Sequence, residues 1–367
     1  MGEDSHRRIV AGIEVESYTI LLPEFTISRE SAFPRKGLGE KGERFGRDWS
    51  IGTEYNSRPF HSIREGLFLL RAGLRKYNTH LYRRKSASRK SKKLFLVGGW
   101  RDRFAGAHVH LSLADERLTR ERARHLSWHL HDHIPLLVAV GANSPVWADE
   151  RTDRASNRIL RASKLYFRPV RRHQLTSRAL DEVVFSPGRK TKPATLEVRV
   201  MDANIPEYVM AGVCLLKAAA LAWRAGEKAA NKITHRAYLE SRERAAAEGM
   251  RAHLCWNGRW LPATEYLDRF VWTFRRQLAD MDIPQELWTT FKLLKRGVGG
   301  SALIAEAAGG AYEEHPQTWQ RRFAKRYAAA LDTLLSGDTI LDFARKLKVD
   351  LPSLQDTWLG RRRLKLL

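Results

Sequence analysis

Glu14 and Glu16, in the run Arg8-Ile-Val-Ala-Gly-Ile-Glu-Val-Glu-Ser-Tyr-Thr-Ile20, are carboxylates two residues apart among β-branched and aromatic neighbours. Such a run reads as a strand, in which residues i and i+2 share a face. The two carboxylates then stand side by side and raise each other's pKa unless a cation lies between them. The same device recurs in His108 and His110 of Gly106-Ala-His-Val-His-Leu-Ser-Leu113, and in Glu197 and Arg199 of Ala194-Thr-Leu-Glu-Val-Arg-Val200. One such pair is ordinary on a wet strand. Three strands, far apart in sequence, that each place two such groups on one face and aliphatic residues on the other describe a polar sheet face backed by a core. A face that only met water would more naturally carry Lys, Thr, Ser and Gln, so this one reads as functional.

Further elements are needed to hold that face. Period-two counting through Asp48 to Pro59 puts Asp48, Ser50, Gly52, Glu54 and Asn56 on one side and Trp49, Ile51, Thr53 and Tyr55 on the other. Pro59 closes that strand, and Ser62 with Glu65 has capping-box spacing for a helix running to about Tyr77. Thr119 to Val140 reads as one helix with His125, His129 and His133 at steps of four and His131 beside them. Steps of four could align zinc ligands. No acidic or Cys partner stands at the usual spacing, however, and Trp128, Leu130 and Leu136 speak for packing. Beyond Ile205 the sequence turns Ala-, Leu-, Arg- and Glu-rich, and helices are expected over 206–230, 235–252, 264–281, 317–335 and 339–348, with Gly297 to Gly300 as a turn. Dinucleotide and Walker fingerprints and solenoid repeats do not occur.

At 367 residues and 43% hydrophobic content the chain can fill one large core or two ordinary ones. Lys and Arg total 65 against 41 Asp and Glu, a formal charge of +24. That balance attracts an anionic partner, whether nucleic acid, acidic protein, nucleotide or membrane surface, without choosing among them. Pro34, Gly37, Gly39, Gly42 and Gly46 break 23–47 into a loop; its Arg29, Arg35, Lys36 and Lys41 read as solvated. The stretch 82–93 holds Arg83, Arg84, Lys85, Arg89, Lys90, Lys92 and Lys93. It reads as a solvated hairpin, with an arm that grips phosphates or an acidic partner as the sharper alternative. Two cysteines, Cys214 and Cys255, make neither a disulfide framework nor a Cys-based zinc site and suit a reducing cytosol. Glu3 and Asp4 do not introduce a signal peptide, and the apolar runs 134–142 and 209–223 are too short or are broken by Lys217. A cytoplasmic protein without a membrane span is expected.

Five motifs in order along residues 8 to about 204 resemble the carboxylate-amine ligases of the glutamate-cysteine ligase and glutamine synthetase superfamily. They are Gly12-Ile-Glu-Val-Glu16, the Glu54 strand ending in Ser57-Arg-Pro59, Gly106-Ala-His-Val-His110, Ala142-Asn-Ser-Pro-Val-Trp147 followed by Ser156-Asn-Arg158, and Thr195-Leu-Glu-Val-Arg199. The resemblance implies an α+β fold, with an antiparallel sheet curved into a funnel, helices on its outer face and a helical C-terminal part. It divides the chain into a catalytic core, 1–204, and a packed helical part, 205–367. The implied reaction uses ATP: the γ-phosphoryl moves to a substrate carboxylate, and an amine attacks the acyl phosphate to leave an amide.

Carried onto this chain, the resemblance makes Glu14, Glu16, Glu54, His110 and Glu197 ligands of Mg²⁺ or Mn²⁺, or neighbours of ligands, in keeping with the preference of hard cations for acidic oxygens. His108 is the alternative nucleotide-facing member of its pair, and the motif does not decide which His binds metal. Arg199 would stabilise the transferred phosphoryl, and Arg158 would clamp a phosphate or carboxylate. The family's further carboxylate before Glu54 has only Asp48 as its counterpart. The expected partners are ATP, a carboxylate substrate of glutamyl type and an amine, and the charge adds an acidic protein or peptide. Two other readings stay open. One is a nucleic-acid-binding or regulatory protein on a ligase-like scaffold, favoured by the basic hairpin and by Arg361-Arg-Arg363. The other is a kinase or amide hydrolase using the same site.

Overall fold

A computed structural model describes residues 5–30, 42–48, 51–80, 91–175, 180–189 and 192–352. Most of the basic stretch around 83–90, loop residues 31–41 and the run Arg361-Arg-Arg363 lie outside the described residues. The first part of the chain runs β1 (Ile9–Glu16), β2 (Tyr18–Leu21), β3 (Thr26–Ser28), β4 (Arg44–Gly46), β5 (Glu54–Asn56), α1 (Ile63–His80), β6 (Lys92–Phe95) and β7 (Gly106–Leu113). Then come α2 (Arg120–His131), α3 (Ile134–Gly141), β8 (Val146–Trp147), β9 (Glu150–Arg151), α4 (Asn157–Ala162), β10 (Val183–Ser186) and β11 (Thr195–Asp202). The remainder is α5 (Pro206–Arg224), α6 (His235–Glu248), β12 (His253–Trp256), β13 (Arg259–Pro262), α7 (Ala263–Thr273), α8 (Arg275–Asp280), α9 (Gln285–Lys295), α10 (Gly300–Glu314), α11 (Trp319–Leu334) and α12 (Ile340–Lys346).

Six strands form an open antiparallel sheet in the order β10-β11-β7-β1-β5-β4. The architecture is α+β, with the expected antiparallel sheet and a mainly helical C-terminal part. Alternation does what the sequence promised: Ile9, Ala11, Ile13 and Val15, with Ala107, Val109, Leu111, Leu196 and Val198, are buried on one face. Helices α2, α3 and α5 cover that face. One hydrophobic cluster continues from the sheet through α5 and α6 to α11 and α12, so the two halves of the chain share a core. Among the described residues, α5 alone has the length and apolarity of a membrane span, and it is buried inside the protein. Its Lys217 is buried too, and the ammonium donates to the carbonyls of Ile9 (2.7 Å) and His61, tying α5 to the start of β1.

Several expected elements come out shorter, each for a local reason. The first strand stops at Glu16. There Ser17 N donates to Thr53 O at 3.0 Å and the chain crosses into a second sheet of order β3-β2-β6. Of the described residues in the run from Asp48, only Glu54–Asn56 form a strand, because Gly52 takes φ +83° and its N–H closes a turn on Asp48 O; Trp49 and Ser50 lie outside the described residues. Asp48 therefore does not share the period-two face. The helix expected over Thr119 to Val140 splits at Asp132-His133, where Pro135 opens α3 and cannot continue the hydrogen bonding of α2. A similar break at Phe274 divides α7 from α8. The β12–β13 hairpin and helices α9 and α10 were not anticipated, and Gly300, placed in the expected turn, opens α10.

Helix α1 lies over Tyr55 of β5, the neighbour of Glu54, and the contact depends on a glycine. A Cβ at Gly73 would fall 2.2 Å from the Tyr55 ring, and Tyr55 is 1% exposed with its hydroxyl donating to Glu43 Oε1 at 2.8 Å. Gly73→Ala should cost about 1–3 kcal/mol through overpacking, seen as a lower urea midpoint at unchanged m-value. An unchanged midpoint would mean that Tyr55 has room to move.

Candidate functional site

Strand register gathers the polar groups. Because β7 lies between β1 and β11, Glu14 stands opposite His108 and Glu197 opposite His110. On the other side of β1, Glu16 stands opposite Glu54 and Glu14 opposite Asn56. Four separate segments thus turn their acidic and imidazole side chains to the same face. One donor atom from each of Glu14, His110 and Glu197 lies within 4.8 Å of the other two, which makes these three the group that could hold a metal ion among the described residues. His110 Nε2 is 3.5 Å from Glu14 Oε1, and its Nδ1 is 3.2 Å from Thr195 Oγ1. His108 sits deeper, with Nδ1 at 3.6 Å from Glu14 and 3.4 Å from Glu197, and Nε2 at 4.0 Å from Glu16. It is central to the carboxylates.

Glu16 and Glu54 are held apart from the three-residue group. Glu16 Oε2 accepts from Gly106 N at 2.6 Å, and burial pushes its pKa up, opposed by His108. Glu54 turns to Arg44, 2.7 Å away, and to the Asn56 amide. Asp48 accepts from Ile51 N at 3.2 Å and reaches Glu16 only through its charge.

The arginines lie toward the Gly106 end of the same face, beside the carboxylates. Arg158, from α4, is 2% exposed; its NH2 donates to Arg199 O at 3.0 Å, and its guanidinium lies 4.1 Å from the Phe167 ring centre. Its NH1 is 3.8 Å from Asp202 Oδ1 and makes no hydrogen bond among the described residues. Arg199 Nε is 3.2 Å from Glu197 Oε1, at ion-pair distance without hydrogen-bond geometry. Gly106 makes room for this arrangement, since a Cβ there would come 2.3 Å from Arg158 NH2.

Asp202 was not foreseen. It is fully buried and accepts from Asn143 N (2.8 Å), Ser144 Oγ (2.7 Å) and Ser156 Oγ (3.0 Å). The motifs Ala142 to Trp147 and Ser156 to Arg158 meet here, and Ser144 Oγ also accepts from Arg158 N at 3.1 Å. Alternation from Glu197 and Arg199 would point to Met201. The ladder instead slips between Val198, opposite Val109, and Met201, opposite Ala107, so Arg199 and Val200 together face His108. This bulge shifts the parity of the strand and delivers Asp202 to the polar face.

Other expected groups go elsewhere. His133 is packed among Trp256, Tyr266, Phe270 and Phe274, and burial lowers its pKa to about 3. His131 stacks on Tyr238 with Nδ1 2.7 Å from Asp132. The His-rich helix is a packing element. Of the four arginines at 151, 154, 158 and 161, Arg151 lies over Tyr312, Arg161 over Trp147 and Arg154 against Asp153, while Arg158 enters the site.

Charge compensation has a pH signature. Burial alone would raise the Glu14 pKa, but contact with His108 and His110 outweighs it and pulls it below the ordinary carboxylate range. Burial would likewise lower His110, yet Glu14 and Glu197 raise it above its ordinary 6.5. The His110 contribution to stability is full below pH 6.5 and is lost as pH rises through the raised folded value. The Glu14 contribution is full above pH 4.5 and is lost as pH falls through the depressed one. The metal-free protein should therefore gain most from this pair between pH 4.5 and 6.5. In an NMR titration the His110 imidazole should titrate above 6.5 in the wild type and move down in Glu14→Gln; no movement would refute the pairing.

No protein-family model and no curated protein matches the sequence. Solved structures do. The ligase PafA, in its complex with the prokaryotic ubiquitin-like protein Pup, is similar at TM-score 0.59 and 13% identity, over 95% of this chain and 80% of that one. Glutamate–cysteine ligase from Francisella tularensis, in complex with AMP, is similar at TM-score 0.55 and 13% identity over 98% of both chains. A bifunctional glutathione synthetase from Pasteurella multocida reaches TM-score 0.56 at 12% identity, covering 96% of this chain and 57% of its own length. Identities this low speak for the fold alone, and the fold is shared with these three solved structures.

Proposed function

We propose that this chain is an ATP- and Mg²⁺- or Mn²⁺-dependent ligase that joins a carboxylate to an amine through an acyl phosphate. The observation that carries this reading is the convergence on one sheet face of Glu14, His110 and Glu197 with the arginines Arg158 and Arg199. Two carboxylate oxygens and an imidazole nitrogen suit a hard divalent cation. Ligand atoms about 2.1 Å from Mg²⁺ in octahedral geometry lie about 3–4 Å apart, close to the 3.5 Å between His110 and Glu14. Among the described residues, His110 Nε2, Arg158 NH1 and Arg199 Nε are buried without hydrogen-bond partners, as expected of groups that meet a ligand. Glu16 and Glu54, opposite one another across β1 and β5, would serve a second cation once Arg44 swings away.

The bound cation would neutralise and bridge phosphate oxygens. This chain's own groups do the rest. A cavity of about 650 Å³, lined by Ser112 of the same strand as His110 and by Arg117, Arg189 and Lys192, suits the nucleotide phosphates. Arg199 faces the phosphoryl as it leaves ADP for a carboxylate oxygen, and Arg158 holds the donor carboxylate. The amine then bonds to the acyl carbon, and phosphate departs. Neither Cys214 nor Cys255 is needed as a nucleophile, and both are buried. Likeness to glutamate–cysteine ligase suggests a glutamyl donor, and His108, central to the carboxylates, fits a structural cation-side role better than nucleotide contact. The binding-protein reading keeps one supporting observation, a groove of about 500 Å³ lined by Arg322, Lys325, Arg326 and Lys346.

ADP release with Mg²⁺ and ATP, screened against pooled amino acids, amines and acidic peptides, decides between them. Release should need both a carboxylate and an amine and should stop on addition of EDTA. Arg199→Lys should lower it about 100- to 1,000-fold, because a point charge replaces a planar fork. Glu197→Gln should abolish it with the melting temperature kept. Full activity in Glu197→Gln would sink the metal assignment. No release from any pool, together with tight salt-sensitive oligonucleotide binding, would favour the binding protein.

A further inference from the structure

Helix α6 lies in the second half of the chain, yet its side chains reach the backbone on which Arg199 is mounted. Just beyond the β10 ladder, Arg199 N donates to Glu182 O at 2.9 Å. The Glu182 side chain is fully buried. Its Oε2 accepts from Arg242 Nε of α6 at 2.8 Å, and its Oε1 accepts from Val170 N at 2.9 Å and from the Tyr238 hydroxyl of α6. Arg242 NH2 donates onward to Phe167 O at 3.1 Å. The Phe167 ring carries the Arg158 guanidinium, whose NH2 donates to Arg199 O. The contacts close on themselves: they leave the N–H of Arg199, pass through Glu182, Arg242, Phe167 and Arg158, and return to the carbonyl of Arg199.

The same helix fixes the approach to Arg158. Carbonyls at its C-terminal end, Ala246 O and Ala247 O, accept from Ser156 N at 2.7 Å and Ala155 N at 2.9 Å, just before α4 begins. Both arginines of the site are thus referred to one rigid element.

We propose that Arg242, acting through Glu182, is a positioning residue for Arg199, and that α6 is the frame that sets the two site arginines relative to the carboxylates. The reaction it serves rests on the ligase reading; the mechanical link does not. A bulge leaves a strand with fewer ladder hydrogen bonds, so the direction of Arg199 depends on whatever holds its peptide groups. Arg242 donates through a planar fork to two acceptors at once, the Glu182 carboxylate and the Phe167 carbonyl. A lysine ammonium can serve two acceptors but only from a single nitrogen, without the planar spacing of the fork.

The test compares Arg242→Lys and Tyr238→Phe with Arg244→Lys, which alters an exposed arginine on the same helix that pairs with Glu240 and lies over Trp260, away from Glu182. In ¹⁵N spectra the Nε–H signal of Arg199, assigned by its loss in Arg199→Lys, should shift or broaden in Arg242→Lys and stay in place in Arg244→Lys. This readout needs no turnover. An unmoved signal overturns the proposal, whereas wild type that releases no ADP in any pool overturns only the ligase reading. With turnover in hand, Arg242→Lys should lower kcat about 10- to 100-fold at unchanged KM for ATP, as a small misplacement of a transition-state contact does. It should cost little more when added to Arg199→Lys, because the two act as a unit. Full additivity in that double variant would assign Arg242 a general structural role and overturn the proposal. If Arg242→Lys does not fold, Tyr238→Phe, which removes a single hydroxyl from the circuit, carries the same signal, kcat and additivity criteria.

Discussion

Repulsion among carboxylates on one sheet face is the constraint to which the rest of the structure answers. Glu14 and Glu16 on β1 and Glu197 on β11 are held on either side of β7, and register fixes their separations. His108 stands among all three, within 4.0 Å of each. Such a cluster is tolerable only while cationic partners are present, and a partly buried one cannot rely on water to screen it. The imidazoles and Arg199 supply compensation in the protein alone. A divalent cation would do so with more charge in less space, which is why the same residues that restrain one another also suit a metal.

The arginine end of the face has the opposite problem. Arg158 is a buried cation whose only acidic neighbour within 4.0 Å is Asp202, itself saturated by two hydroxyls and an amide N–H among the described residues. Burying a guanidinium without full hydrogen bonding is expensive, and burial pulls its pKa down against the attraction of Asp202 and Glu16. The cost is met by packing. Phe167 lies beneath the guanidinium, Gly106 leaves space above it, and the carbonyl of Arg199 takes one of its donors. A donor left over in so rigid a setting is pre-organised for an anion and need not reorient when one arrives.

The strand-rich half and the helical half are joined in one core. The shared hydrophobic cluster joins them broadly, while the Glu182–Arg242 pair and the carbonyls at the end of α6 join them at the point where orientation matters. The large positive charge has a separate distribution. Many cations lie in exposed ion pairs such as Arg44–Glu54 and Arg64–Asp282, and others line grooves away from the carboxylates.

Residues that define the polar face were legible because their information is local. Glu14 and Glu16, His108 and His110, and Glu197 and Arg199 each depend only on the two-residue period of a strand. The apolar partners Ile13, Val109 and Val198 were readable for the same reason. Long helices such as the buried α5 and the amphipathic α11 could be recognised, although their ends could not. Register was not local: nothing in the neighbourhood of His110 says that it faces Glu197, or that Glu54 faces Glu16 and then turns to Arg44. Nor does the sequence announce the slip after Val198 that turns Asp202 inward. The sequence by itself determined which side chains share a face, since that follows from backbone geometry within a few residues. Only the tertiary structure decided which faces meet, which arginine is buried and what holds it, because those outcomes depend on strand pairing and packing between segments tens to hundreds of residues apart.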